Sequence, residues 1–167
     1  MSKWHIAQMN VGTVRFPTDD PRLAGFMDRL DAINALAEAS PGFVWRLQSD
    51  QGNATDIILT ENPLFIVNMS VWEDVESLFA FVYRSAHQGV MAQRREWFER
   101  PDEAYQVLWW IAAGTTPTPQ QGLERLRHLQ GHGPTPYAFT FRQKFPPPDV
   151  IAQPEDMQPQ PYCVGWS

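Results

Sequence analysis

His87 and Arg94 stand seven residues apart, and Asn68 interrupts an otherwise apolar run. An imidazole exchanges a proton near neutral pH, which makes His87 the candidate general base. If the helical pattern carries through, His87, Val90, Met91, Arg94 and Phe98 share one face at spacings of three, four and seven. A guanidinium buried on that face needs a partner. This is either an anionic substrate or an acidic side chain such as Glu73 or Glu96. Asn68 can hydrogen-bond a substrate carbonyl or enolate oxygen, or it can satisfy a neighbouring strand. His87, Asn68 and Arg94 are expected to converge on one cavity between a sheet and the second helical region. There His87 would act as base, while Asn68 and Arg94 stabilise charge on oxygen.

The elements that must position these groups follow from periodicity. Trp4 to Phe16 reads as a first strand. Asp20 caps a first helix with Pro21 at its first position, and Leu23, Phe26, Met27, Leu30, Asn34 and Ala37 follow at helical spacing. Asn34, on that apolar stripe, is expected to tie down a nearby backbone group. Pro41-Gly42 stops the helix. Phe43, Trp45 and Leu47 alternate with Val44, Arg46 and Gln48 as a second strand, Asp56 to Thr60 reads as a short strand, and Leu64 to Trp72 is the strongest strand signal. A second helical region starts at Asp74 and runs, with a possible bend at Gly89, to Phe98. Tyr105 to Ala113 is another strand. Thr118-Pro119-Gln120-Gln121 is a capping box opening a third helix, and Phe139, Phe141 and Phe145 alternate in a last extended segment. Residues 1–145 read as one domain and the proline-rich 146–167 as a tail.

The order β-α-β-β-α-β, with an added helix, is the ferredoxin-like α+β plan, with both main helices on one face of an antiparallel sheet. In the Leu64–Trp72 strand, Phe65, Val67, Met69 and Val71 form a wholly apolar set and are expected beneath the helices. The opposite set, with Ile66, Asn68, Ser70 and Trp72, mixes apolar bulk with polar groups as a pocket lining does. Asn10 and Gln8 repeat that mixture on the first strand. Because the helices cover only one face, the mixed face is expected to close against a second copy of the chain. Trp45, Trp72, Trp109 and Trp110 are candidates for an aromatic cage around a flat ligand, although such rings also fill cores and interfaces.

Composition limits the function classes. A net charge of −6 on 167 residues argues against nonspecific binding to nucleic acid. The single cysteine, Cys163, excludes an intramolecular disulfide and a cysteine-based zinc cluster. No histidine–carboxylate spacing suggests a metal. No apolar run is long enough for a membrane span and no signal-peptide layout opens the chain, so a cytoplasmic location is expected.

Several strings carry a resemblance: Pro41-Gly42-Phe43-Val44-Trp45-Arg46-Leu47, Ser70-Val71-Trp72-Glu73, Phe81-Val82-Tyr83-Arg84-Ser85 with His87, Arg95-Glu96-Trp97-Phe98 and Leu108-Trp109-Trp110. Over residues 4–145 the chain resembles the bacterial domain-of-unknown-function family 3291. That family looks like a branch of the dimeric α+β-barrel superfamily, which includes antibiotic-biosynthesis monooxygenases, cyclases, isomerases and haem-degrading enzymes. The resemblance implies a homodimer packed sheet against sheet. Quinone-forming monooxygenases of that superfamily carry an Asn, three residues, then a Trp before the second helix, a spacing that Asn68 and Trp72 match. They also use an arginine further on, for which Arg94 is the nearest counterpart. The implied function is a cofactor-independent monooxygenase acting on an aromatic or polyketide-like molecule, with His87, Asn68 and Arg94 as its machinery. Trp72, Asn10, Trp45, Ser70 and Trp110 would bind the substrate. A cyclase or isomerase using the same groups, a non-catalytic ligand-binding dimer and haem binding through His87 are the alternatives. None of the first three calls for a cofactor.

Overall fold

The computed structural model describes residues 3–49, 55, 59–84 and 94–148. Strand β1, Trp4–Thr13, sits inside a four-stranded sheet of order β2-β3-β1-β4, with β2 at Phe43–Arg46, β3 at Phe65–Trp72 and β4 at Gln106–Ala112. Every neighbouring pair is antiparallel. Helices α1 (Ala24–Ala39), α2 (Val75–Arg84), the single turn α3 (Arg94–Trp97) and α4 (Pro119–His132), with a 3-10 turn at Pro21–Leu23, complete the described elements. This is the expected ferredoxin-like α+β arrangement.

The local signals act much as their chemistry predicts. Asp20 accepts the Arg22 backbone N–H and pairs with the Arg22 side chain, but what it caps is a 3-10 turn, Pro21–Leu23, from which α1 continues. Asp74 Oδ1 accepts from the Ser77 N–H at the start of α2. Gly42 takes the positive φ of 83° that ends α1 and turns the chain into β2. At α4 the capping box is complete: Thr118 Oγ1 accepts from the Gln121 N–H, and Gln121 Oε1 accepts from the Thr118 N–H. Thr118→Ala removes one of these bonds. It is expected to cost about 1 kcal/mol, read as a small fall in thermal midpoint with the fold unchanged.

The sheet faces are assigned the opposite way from the sequence expectation. Residues Ala7, Met9 and Val11 of β1 align with Val71, Met69 and Val67 of β3, and Ala7 and Met9 with Trp109 and Val107 of β4. This wholly apolar face lies not beneath α1 and α2 but beneath α4, whose Leu126 and Leu129 join the same cluster. Gly122 brings α4 close: a Cβ there would lie 2.6 Å from Met9 Cε and 3.2 Å from Met69 Sδ. Met9, Met69, Val71, Val107 and Trp109 are each at most 1% exposed within the one chain. Hiding side chains of this kind contributes roughly 1.5–3 kcal/mol each. The mixed face is the one that α1 and α2 cover, with Ile6, Trp72 and Leu108 packing against Ala37, Val75, Leu78 and Val82. Among the described residues α4 packs on the apolar face and α1 and α2 pack on the mixed one.

The last extended segment pairs with the sheet at a single bridge. Leu108 and Phe139 exchange both backbone hydrogen bonds, at 2.8 and 2.9 Å, and the pairing stops there. A turn between Thr140 and Gln143 then redirects the chain. Phe139, Phe141 and Phe145 nevertheless all enter the core on the mixed side of the sheet. The alternation recorded burial rather than a ladder. Trp110 Nε1 donates to the Phe145 carbonyl at 2.8 Å and fastens this segment along the outer edge of β4. The short strand expected at 56–60 falls mostly outside the described residues, as do residues 85–93 of the second helical region.

Candidate functional site

Between the mixed sheet face and α1, α2 and α3 lies a cavity of about 130 Å³. A dry cavity of about that size can take one benzene ring. Its floor is polar because four strand positions that face the helices, Gln8, Asn10, Asn68 and Ser70, carry amides or a hydroxyl. Register sets Gln8 opposite Ser70 and Asn10 opposite Asn68. Gln8 Nε2 donates to Asn68 Oδ1 and to Ser70 Oγ, both at 2.9 Å. Asn10 Nδ2 donates to Gln8 Oε1 at 3.2 Å and to Asn68 Oδ1 at 3.3 Å. Trp72 Nε1 donates to Ser70 Oγ at 2.9 Å.

This network leaves a particular remainder. Asn68 Oδ1 and Ser70 Oγ each accept two bonds, which uses the acceptor capacity of both. What they retain are donors: the Asn68 amide N–H groups, which have no acceptor among the described residues, and the Ser70 hydroxyl hydrogen. Gln8 and Ser70 are buried, whereas Asn68 is exposed. The floor thus offers a ligand oxygen the donors of Asn68 and Ser70, beside spare acceptor capacity on Asn10 Oδ1 and Gln8 Oε1.

The walls are apolar: Phe26, Leu30 and Ile33 from α1, and Leu78, Phe81 and Val82 from α2. One wall holds a charge. Arg94 donates from Nη2 to the Val11 carbonyl at 3.1 Å, and its guanidinium lies 4.4 Å from the Phe98 ring centre and 4.7 Å from that of Tyr105. Arg94 Nε is buried without a hydrogen-bond partner, and no carboxylate pairs with the side chain among the described residues. Burial pushes the Arg94 pKa down from its ordinary value, and the neighbouring Tyr105 pulls the other way. Arginine still keeps its proton under ordinary conditions. The result is a half-buried cation held by aromatic faces and one carbonyl, with no counter-charge among the described residues.

Gly12 makes this placement possible. A Cβ at position 12 would lie 2.5 Å from Phe98 Cδ1 and 3.0 Å from Arg94 Nη2. The missing side chain lets Phe98 and Arg94 lie directly on β1.

Of the residues singled out in the sequence, Asn68, Asn10, Ser70 and Arg94 line this cavity together. Trp72 is fully buried beside it, stacked on Phe81 at 5.1 Å, and reaches the site through Ser70. Trp45 packs against the opposite face of the sheet with Trp109. Trp110 packs against the Phe139 cluster and is tied to Phe145. The tryptophans therefore form no cage, because strand alternation sends adjacent ones to different faces. His87 lies outside the described residues. Sequence reading undervalued Gln8, the centre of the amide network, and missed Tyr105 and Arg29, which also line the cavity. Asn34 makes no hydrogen bond to backbone among the described residues; it is 8% exposed and faces the cavity. Its interruption of the apolar stripe of α1 was the sequence signal that a polar cavity lies beneath that helix.

The model of a family described as a domain of unknown function, DUF3291, matches residues 5–155. The chain belongs to that family. No curated protein matches it. Among solved structures the chain is similar to a putative antibiotic biosynthesis monooxygenase from Nitrosomonas europaea, at 14% identity over 71% of this chain and 96% of that one, with a TM-score of 0.45. It is also similar to SnoaB, a cofactor-independent oxygenase from Streptomyces nogalater, at 17% identity over 67% and 95% of the two chains, with a TM-score of 0.41. A third is a protein of unknown function from Nitrosomonas europaea, at 15% identity over 70% and 96%, with a TM-score of 0.44. These likenesses say nothing of what this DUF3291 member acts on.

Among the described residues no group of three or more His, Cys, Asp or Glu side chains could hold a metal ion. No helix among them is long and apolar enough to cross a membrane.

Proposed function

We propose that the cavity binds an oxygen-bearing aromatic molecule as its anion and that the protein oxidises it as a cofactor-independent monooxygenase. The observation that supports this reading is Arg94, a half-buried cation whose buried Nε has no partner and which meets no carboxylate among the described residues, beside the donors of Asn68 and Ser70. Desolvating a charge costs several kcal/mol unless a partner compensates, and an arginine cannot escape by losing its proton. A phenolate or enolate oxygen, set between the Arg94 guanidinium and the Asn68 amide, supplies that partner. Both groups then stabilise the anion from which the reaction starts.

The chemistry needs only the substrate and dioxygen. Loss of a proton from an activated carbon gives a delocalised carbanion. That anion transfers one electron to O2, and the two radicals combine to a peroxide at the same carbon. Loss of water from the peroxide leaves a carbonyl, so that a CH2 and O2 become C=O and H2O. His87 is the base this reading assigns.

The binding-only reading also has an observation behind it: the described lining residues include no histidine and no carboxylate. Oxygen uptake with hydroxynaphthalene and anthrone substrates separates the two. The monooxygenase reading expects stoichiometric O2 consumption that His87→Ala lowers by roughly 10²–10⁴-fold while substrate affinity stays within about twofold. Tight binding with no oxygen uptake, but with rearranged product, would make the protein a cyclase or isomerase. Binding without turnover would leave a carrier.

A further inference from the structure

We propose that the ligand carries a second acidic group, a carboxylate, which Arg29 takes at the cavity mouth while Arg94 holds the ionised oxygen inside. The proposal rests on the reading above that the cavity holds an aromatic anion. Arg29 projects from α1, is exposed, and lines the same cavity. Its guanidinium lies 5.5 Å from the ring centre of Trp97, another wall residue. Packing against an aromatic face holds a planar fork in place, and that fork matches a carboxylate through two parallel hydrogen bonds.

The charge distribution is what singles Arg29 out. The chain has 19 acidic and 13 basic side chains. Among the described residues Arg22 pairs with Asp20 at 2.9 Å and Arg46 with Glu38 at 2.7 Å, both away from the cavity. The described cavity wall reverses the balance, with two arginines and no carboxylate. Asp28 and Asp31 flank Arg29 in sequence, but one and two residues along a helix do not share a face, and neither forms an ion pair with it. Size points the same way. A cavity of about 130 Å³ encloses roughly one ring, so the remainder of a larger ligand must sit at the mouth, where Arg29 is.

The test compares 2-naphthol with 6-hydroxy-2-naphthoic acid, which share a ring system and a hydroxyl and differ by one carboxylate. Binding is measured calorimetrically under anaerobic conditions. The acid is expected to bind the unmodified protein about 10-fold or more tightly than the naphthol, an advantage that shrinks as salt is raised. Arg29→Gln should erase that advantage and leave naphthol affinity unchanged, and Arg94→Gln should weaken both ligands. Equal affinity of the two ligands for the unmodified protein, or an equal loss of both in Arg29→Gln, overturns the carboxylate assignment while the anion-binding reading stands. Failure of both ligands to bind overturns that reading and this proposal together. Arg29 is an exposed helix residue, so its replacement should leave folding unchanged, and circular dichroism confirms this in the same samples.

Discussion

Arg94→Met is expected to raise the melting temperature and to empty the site. Arg94 is half-buried, its buried Nε has no partner, and among the described residues the hydrogen bond to Val11 and the rings of Phe98 and Tyr105 are what hold it. Exchanging buried ionic groups for apolar ones of similar volume is often neutral or stabilising by about 1–4 kcal/mol. For a chain of this size each kcal/mol shifts the midpoint by roughly 2–4 °C. Methionine keeps the flexible stem and removes the charge. Ligand affinity should fall by roughly 100-fold or more, because the ionised oxygen would lose its counter-charge in a desolvated cavity. Gain of stability with loss of binding is the signature of a residue kept for function. A midpoint that falls by several degrees would instead make Arg94 a structural tie between α3 and β1, and the anion site would lose its support. Arg94→Lys should fall between the two, since it keeps the charge and loses the fork.

The second large effect is expected at a residue with no side chain. Gly12→Ala places a methyl group 2.5 Å from Phe98 Cδ1 and 2.7 Å from Cε1. Phe98 cannot simply retreat, because it is 5% exposed and packs edge-on against Phe26 at 5.3 Å. Overpacking of this kind costs about 1–3 kcal/mol. The strain also falls on Arg94, whose Nη2 would be 3.0 Å from the same methyl, so ligand affinity should drop about 10-fold or more with the loss of stability. A double variant, Gly12→Ala with Phe98→Leu, separates the two effects. The smaller side chain should recover much of the stability, but it removes a ring beneath Arg94, so binding should stay weak. Strongly non-additive stabilities are expected because the two positions touch. Additive losses would mean that the glycine and the ring are not in contact.

The architecture was legible wherever a local signal had a single solution. The Thr118-Pro119-Gln120-Gln121 box opens α4, and Pro41-Gly42 turns α1 into β2. Strand alternation in β3 correctly separated two sets of side chains, yet it could not say which set faced which helices. Phe65, Val67, Met69 and Val71 suit any apolar cover. The cover turned out to be α4, which sequence reading treated as an accessory. Asn34 held the missing clue, since a polar residue on the buried stripe of α1 matches a polar strand face and not an apolar one. The site was legible in the same partial way. Asn68, Ser70 and Asn10 stood out as polar groups among apolar neighbours, but Gln8, deeper than any of them at 3% exposure, reveals its role only through cross-strand register. The tryptophans misled because large rings are conspicuous in a sequence wherever they point.

The central position of β1 decides when this site can exist. Ile6 meets Trp72 on one side and Trp110 on the other, and no hairpin joins β1 to either neighbour. Both pairings close long loops, which must lose their entropy before any contact compensates, so this topology belongs to the slower-folding class of small domains. While the chain is being made, Gln8 waits for β3 to supply Asn68 and Ser70, and Met9 waits for α4. No fragment that ends before β3 can carry the amide floor. None that ends before α4 can hide the methionines on its reverse side. The cavity is thus a late and undivided product of folding, formed only once the chain has closed around its own first strand.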